Sequence, residues 1–237
     1  MDDLTRLGRK IEFPPSSRAL DHPNGLLAYG GELSTERLLA AYRRGIFPWY
    51  EDPQPVLWWT PNPRFVLFPQ ELHISRSLRR TLRKNHFGLR VDEAFSAVMH
   101  ACAAPRKDST GTWIDREMVA AYSQLNREGI AHSVEITNPA GKLVGGLYGI
   151  SLGRVFFGES MFSLETDASK VALVALVDIM HRGNFHMIDC QLENPHLVSL
   201  GARGIDRLDF EERLAQTVND EVDREIWCLP DNCGGLL

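Results

Sequence analysis

The chain has 237 residues, 43% of them hydrophobic, and a formal net charge of −5, which suits one large domain or a small domain joined to a larger one. No apolar run approaches the ~20 residues that cross a bilayer, and the opening MDDLTRLGRK lacks the apolar core of a secretory signal. Cys102, Cys190, Cys228 and Cys233 are too scattered for a disulfide framework, so a reduced, cytoplasmic protein is expected.

In chain order, the first helix is predicted from Thr35 to Arg44. Ser34 is placed to cap it, Leu38, Leu39 and Tyr42 give an apolar stripe, and Gly45 stops it. PWYEDPQPVLWWTPNPR follows, with five prolines and three tryptophans, a composition too irregular for regular structure. It reads as a stiff connector with a junction near Thr60 to Asn62. That divides the chain into a small N-terminal domain, 1–61, and a larger domain, 62–237.

RFVLF (64–68) and GLRV (88–91) read as strands flanking a basic helix. Between Glu71 and Asp92 there is no acid, yet Arg76, Arg79, Arg80, Arg83, Lys84 and Arg90 all lie there. Setting these six aside leaves 20 basic against 31 acidic residues, a remainder of −11. Ser75 can cap this helix. Leu78 and Leu82 face inward, while Arg76, Arg79, Arg80 and Arg83 share one face. A solvated face is one reading. Such faces usually mix signs, however, and a phosphate backbone would supply the missing counter-charge.

Helices are expected at Asp92 to Ala103 and Arg116 to Arg127. AHSVEIT alternates as a strand, NPAG is a turn, and KLVGGLYGISLGRVFFGESMF reads as two strands reversing at Leu152 and Gly153. The glycines of GGLYG suit close packing or bulges. ASKVALVALVDIMHRG is a helix stopped by Gly183, FHMIDC a strand, and DFEERLAQTVND a closing helix. The tail CLPDNC offers two thiols without a second pair or a nearby histidine, which argues against zinc. Antiparallel strands followed by helix, strand and helix make an α+β fold, a mixed α/β sheet covered by helices.

The sequence contains no GxSxG elbow, phosphate loop, GxGxxG or HExxH. What stands out is acids among apolar residues. Glu159 directly follows the run Val155 to Gly158, and Asp189 lies in MIDCQ with Gln191 two residues on. In an extended strand Asp189 and Gln191 share a face, roughly 7 Å apart. Either these acids cap helices or pair with an arginine, or the strands present their ends to one cleft where substrate binds.

Several motifs together, FFGESMFSLETDASKVAL, IDCQLENPHLVSLGA, RRGIFPWY, LWWTPNPR and LHISRSLRR, resemble the leucyl/phenylalanyl-tRNA–protein transferase family, from about Phe13 to Leu214. The resemblance implies transfer of Leu, Phe or, less well, Met from aminoacyl-tRNA to the α-amine of proteins beginning with Arg or Lys, marking them for N-end rule degradation. It implies a C-terminal domain like the GNAT acyltransferases, and no cofactor or metal. Carried over, Gln191 would hydrogen-bond the attacking amine through its amide oxygen, with Asp189 polarising the Gln191 NH₂ or acting as base. Glu159 would bind a cationic group in the same site. Leu147, Phe156, Met161, Leu173 and Leu176 match the aminoacyl side-chain pocket, Leu147 and Leu176 standing where the family carries Met and Phe. Trp49 and Trp113 match aromatic positions near the aminoacyl-adenosine, where a flat ring can stack on the terminal base. Arg76, Arg79, Arg80, Arg83 and Lys84 become the track for acceptor-stem phosphates.

Two other classes compete. An acyl-CoA N-acetyltransferase of the same fold would want a glycine-rich pyrophosphate loop after VFFGESMF, where this chain has the acidic SLETDASK. A non-catalytic RNA-binding protein would use the basic helix but leave Glu159, Asp189 and Gln191 idle.

Overall fold

The computed structural model describes residues 4–104 and 114–236. Two sheets organise it. The smaller is built from β1 (Thr5–Leu7), β2 (Leu26–Gly30), β3 (Phe47–Pro48) and β4 (Leu57–Trp59), in the order β1-β2-β4-β3. Helix α1 (Thr35–Tyr42) lies between β2 and β3 in the chain. The stretch rich in proline and tryptophan is therefore not irregular throughout. Phe47 pairs with Trp59 and Pro48 with Trp58, because proline is tolerated at an edge where its missing N–H is not needed. Helix α1 begins as expected, with Ser34 accepting from the Arg37 N–H, but ends at Tyr42. Gly45 follows with φ +69°, and a Cβ there would come within 2.6 Å of the Phe210 ring.

The larger sheet has seven strands in the order β11-β5-β10-β9-β8-β7-β6. These are β5 (Arg64–Leu67), β6 (Gly88–Val91), β7 (Ala131–Thr137), β8 (Leu143–Leu152), β9 (Val155–Ser163), β10 (Met187–Gln191) and β11 (Arg203–Ile205). Its helices are α2 (Arg76–Lys84), α3 (Phe95–Ala103), α4 (Arg116–Arg127), α5 (Ala168–Arg182), the short α6 (Pro195–Val198) and α7 (Arg207–Thr217). Helix α3 starts three residues later than the pattern suggests. Asp92 has φ +58°, and its carboxylate accepts from the Ser133 N–H and contacts His132 Nδ1, so it anchors β7 instead of joining the helix.

All pairings in the large sheet are antiparallel except β9 with β10, which are parallel and joined by α5. Helix α5 is apolar around most of its circumference because most of it is covered, eleven of its fifteen residues being buried. It packs on one face of the sheet with Leu78 and Leu82 of α2. The other face carries Phe95, Val98, Met118, Tyr122, Phe210 and Leu214. These share one apolar cluster with Leu27, Tyr42 and Trp58 of the first sixty residues.

Two irregularities open the sheet. The parallel pairing of β9 with β10 ends at Phe157–Asp189, while β9 stays paired to β8 as far as Ser163. Opposite Tyr148 and Gly149, β9 places Ser160 and Gly158, so Glu159 is an extra, bulged residue. Gly149 permits this: a Cβ there would lie 2.1 Å from the Phe157 carbonyl oxygen. On β10 a second bulge falls between Asp189 and Gln191.

Candidate active site

The strands part around a cleft of about 300 Å³. Its apolar end is lined by Leu147, Phe156, Met161, Leu173 and Leu176, the five residues matched to the side-chain pocket, and by Ile188. Glu159, Asp189 and Gln191 line it too, with Trp49 at the rim, 38% exposed. The Trp49 carbonyl accepts from Trp59 Nε1 at 2.6 Å, and the two rings lie 5.5 Å apart. Trp113 falls outside the described residues.

The polar groups meet differently from the expectation. Asp189 is fully buried and forked by Arg64, with Nε donating to Oδ1 at 2.7 Å and Nη2 to Oδ2 at 2.6 Å. The Arg64 guanidinium is itself fully buried and lies over the rings of Phe47 and Phe210 at 4.8 and 4.7 Å. The third contact to Asp189 comes from the Gln191 main-chain N–H, 2.9 Å from Oδ1. Asp189 thus does not touch the Gln191 amide side chain, and the two residues do not share a strand face. The bulge turns the chain, and Gln191 adopts φ +65° in a tight turn closed by Leu192 N–H to the Cys190 carbonyl. A non-glycine residue rarely adopts this conformation, and here three neighbours hold it.

The carboxylate that holds the Gln191 amide is Glu159, whose Oε1 accepts from Nε2 at 3.1 Å. The same Oε1 accepts from the Tyr42 hydroxyl at 2.7 Å, and Oε2 accepts from the Tyr122 hydroxyl at 3.2 Å. The two hydroxyls also hydrogen-bond to each other. Glu159 is 9% exposed. Burial pushes its carboxyl up to about 7, aided by the nearby Asp189 charge and opposed by the hydrogen bonds from Tyr42, Tyr122 and Gln191. A group poised near neutrality is suited to proton transfer.

Sequence reasoning assigned Tyr42 to an apolar stripe and Arg64 to the start of a strand. It gave Tyr122 no role. The available signal was Arg64 itself: a cation opening a strand of otherwise apolar residues needs a buried anion. Arg76, Arg79, Arg80, Arg83 and Lys84 are all exposed, and none makes an ion pair within 4.0 Å among the described residues. Ser75 caps their helix by accepting from the Leu78 N–H. Helix α2 is fixed to the cleft through α5. Thr81 donates to Asp167, just before α5, at 2.9 Å, and α5 supplies Leu173 and Leu176. Among the described residues no cluster of His, Cys, Asp and Glu could hold a metal ion, and no helix is long and apolar enough to cross a membrane.

Comparison with known proteins gives one consistent answer. Residues 66–215 match the profile described as leucyl/phenylalanyl-tRNA protein transferase, and residues 31–62 match that of its N-terminal domain. The chain is 58% identical to the leucyl/phenylalanyl-tRNA–protein transferase of Nitrosospira multiformis over 92% of this chain and 93% of that one. It is 57% identical to the protein of the same name from Pseudomonas entomophila over 90% and 94%. The solved structure of L-PGS from Bacillus licheniformis overlays with a TM-score of 0.39 at 11% identity, covering 71% of this chain and 53% of that one, a likeness too slight to inform the fold. With profiles spanning most of its length and relatives this similar end to end, the chain belongs to the leucyl/phenylalanyl-tRNA–protein transferase family of aminoacyltransferases.

Proposed function

We propose that this aminoacyltransferase moves Leu, Phe and, less well, Met from aminoacyl-tRNA to the N-terminal α-amine of proteins beginning with Arg or Lys, marking them for N-end rule degradation in the cytoplasm. The observation that carries the reading is the Glu159–Gln191 contact at the polar end of an apolar cleft. A carboxylate can only accept, so it engages the NH₂ of Gln191 and leaves the amide oxygen for an incoming N–H.

The aminoacyl ester is already activated, so the enzyme mainly holds amine and ester in attack geometry. The amine nitrogen bonds to the ester carbonyl carbon, the bond from that carbon to the terminal ribose oxygen breaks, and the proton lost by nitrogen leaves with that oxygen. Gln191 orients the amine through its amide oxygen. Asp189, already engaged by Arg64, acts by holding the Gln191 main chain in its turn, and Glu159 is the better placed proton acceptor. Leu, Phe and Met lack Cβ branching and fit between Leu147, Phe156, Met161, Leu173 and Leu176, where the thioether can adapt to each guest. Trp49 offers a stacking surface for the terminal adenine, and Trp113 is proposed for the same role. Arg76, Arg79, Arg80, Arg83 and Lys84 hold acceptor-stem phosphates.

The same reading makes residues 62–237 a GNAT-like catalytic domain and 1–61 a small N-terminal domain. What supports the first is a parallel strand pair that separates beside a bulge; what supports the second is a small sheet whose strands all precede Thr60. Acyl-CoA is not favoured as donor. The segment before α5 presents Glu165 and Asp167 where a pyrophosphate would need positive partners, and Asp167 is held by Lys170 at 3.0 Å and by Thr81.

The test is incubation with labelled Leu-tRNA and a peptide beginning with Arg, beside one beginning with Ala. Label on the first alone is expected; label on neither, or on both equally, refutes the acceptor assignment.

A further inference from the structure

The contacts among Tyr42, Tyr122 and Glu159 do not balance in protons. Three hydrogen bonds close a ring: Tyr42 to Oε1 at 2.7 Å, Tyr122 with Oε2 at 3.2 Å, and hydroxyl to hydroxyl. Each bond needs one proton, and a phenol has one to give. Two phenols therefore fill two of the three. The Gln191 NH₂ donates separately to Oε1 and cannot fill the gap. With Glu159 ionised the ring is therefore one proton short. The carboxylate accepts from both hydroxyls, Tyr42 at Oε1 and Tyr122 at Oε2, and the longer contact leaves Oε2 the oxygen able to take a third proton. An uncharged, closed ring also suits its surroundings, since Tyr42 and Tyr122 are fully buried.

We infer that Tyr42, Tyr122 and Glu159 form a proton sink that strips the incoming α-ammonium to a neutral amine before it attacks the ester. This rests on the acceptor being an α-amine, as proposed above. One N–H bond of the ammonium breaks and an O–H bond forms on Oε2, closing the ring. The neutral amine then attacks, its next proton departs with the ribose oxygen, and Glu159 releases its own to water before the following turnover. Tyr42 and Tyr122 are positioning residues, while Glu159 meets the substrate. The groups facing Glu159 come from five elements: Tyr42 from α1, Tyr122 from α4, Tyr148 from β8, Asp189 from β10 and, behind it, Arg64 from β5. Glu193, beyond β10, lines the same cleft. Burial, with the neighbouring Glu159 charge, pushes Tyr42, Tyr122 and Tyr148 well above the usual phenol range, so all three keep their protons at neutral pH.

Both phenols hold the anion, Tyr42 donating to Oε1 and Tyr122 to Oε2, so losing either should shift a titration, which a purely structural role would not. The test is the pH profile of kcat/KM for an Arg-initiated peptide with saturating Leu-tRNA. Tyr42→Phe and Tyr122→Phe should each move the acid limb to higher pH, by about half a unit or more. A wild type that transfers nothing to the peptide overturns the amine-acceptor reading and the ring with it. An active wild type whose limb is unmoved in both variants, or moved to lower pH in either, overturns the ring alone. Should either phenylalanine variant fail to fold, the infrared difference between wild type and Glu159→Gln decides. A carboxylic-acid C=O band that grows in the wild type as pH falls through about 7 is expected, and its absence refutes the third proton.

Discussion

An acid in the middle of an apolar strand is explained by what lies behind it. Asp189 and Arg64 form a bidentate pair with no solvent access, and such a pair is most sensitive to losing one member. Asp189→Ala should destabilise the protein by about 3–5 kcal/mol, because Arg64 is left buried and unmatched. Pairing Arg64→Met with Asp189→Leu should recover most of that stability in thermal melts. Transfer should stay low in the double variant, because the Gln191 N–H has lost its acceptor. Recovery of transfer together with stability would show that Asp189 does nothing for Gln191. Glu159 makes a different prediction. Its folded-state carboxyl is raised to about 7 from an ordinary 4.5, so its contribution to stability is complete below the ordinary value and disappears as pH rises through the folded one. Removing the titration with Glu159→Gln should therefore help progressively at higher pH. The difference in melting temperature, variant minus wild type, should grow more positive from about pH 5 to about pH 8. A flat difference would mean that the carboxyl is not held in a desolvated site.

At the scale of elements, α2 should separate binding from chemistry. Arg76→Glu with Arg80→Glu leaves Leu78 and Leu82 seated, so the fold should be retained and melting should change little, or improve as like charges are separated. Affinity for tRNA should fall, and the slope of log affinity against log salt should flatten by roughly one to two; filter binding at several salt concentrations measures both. Helix α2 was legible in the sequence because cap, apolar pair and basic face all agree within nine residues. So were α4, β7, β8, β9 and α5, where period and length are unambiguous. The two- and three-residue strands of the small sheet were not, since a pattern of period two needs more residues than they contain. The site was half legible. Its residues were identifiable, but the bulges at Glu159 and before Gln191 exchanged the partners, and a one-residue insertion leaves no mark on hydrophobic alternation.

The whole molecule is tied together through Tyr42. It belongs to the first sixty residues, yet it donates to Glu159 on β9 and packs edge-on against Phe157 at 5.1 Å. Core residues from both sides of Pro61 form one cluster. Unfolding should accordingly be a single event, with far- and near-ultraviolet circular dichroism tracing one coincident transition. Two separated transitions would mean that the first sixty residues hold together independently. The rigid α5 has a further consequence. One end anchors the arginine helix through Asp167 and Thr81, and its middle lines the apolar end of the cleft with Leu173 and Leu176. The span between them is fixed by one helix, so under the proposed assignment of both sites the protein would act as a caliper, gauging how far the ester lies from the duplex and indifferent to the letters in between. An RNA minihelix with one extra nucleotide in its single-stranded end should bind as well as the ordinary one yet react far more slowly.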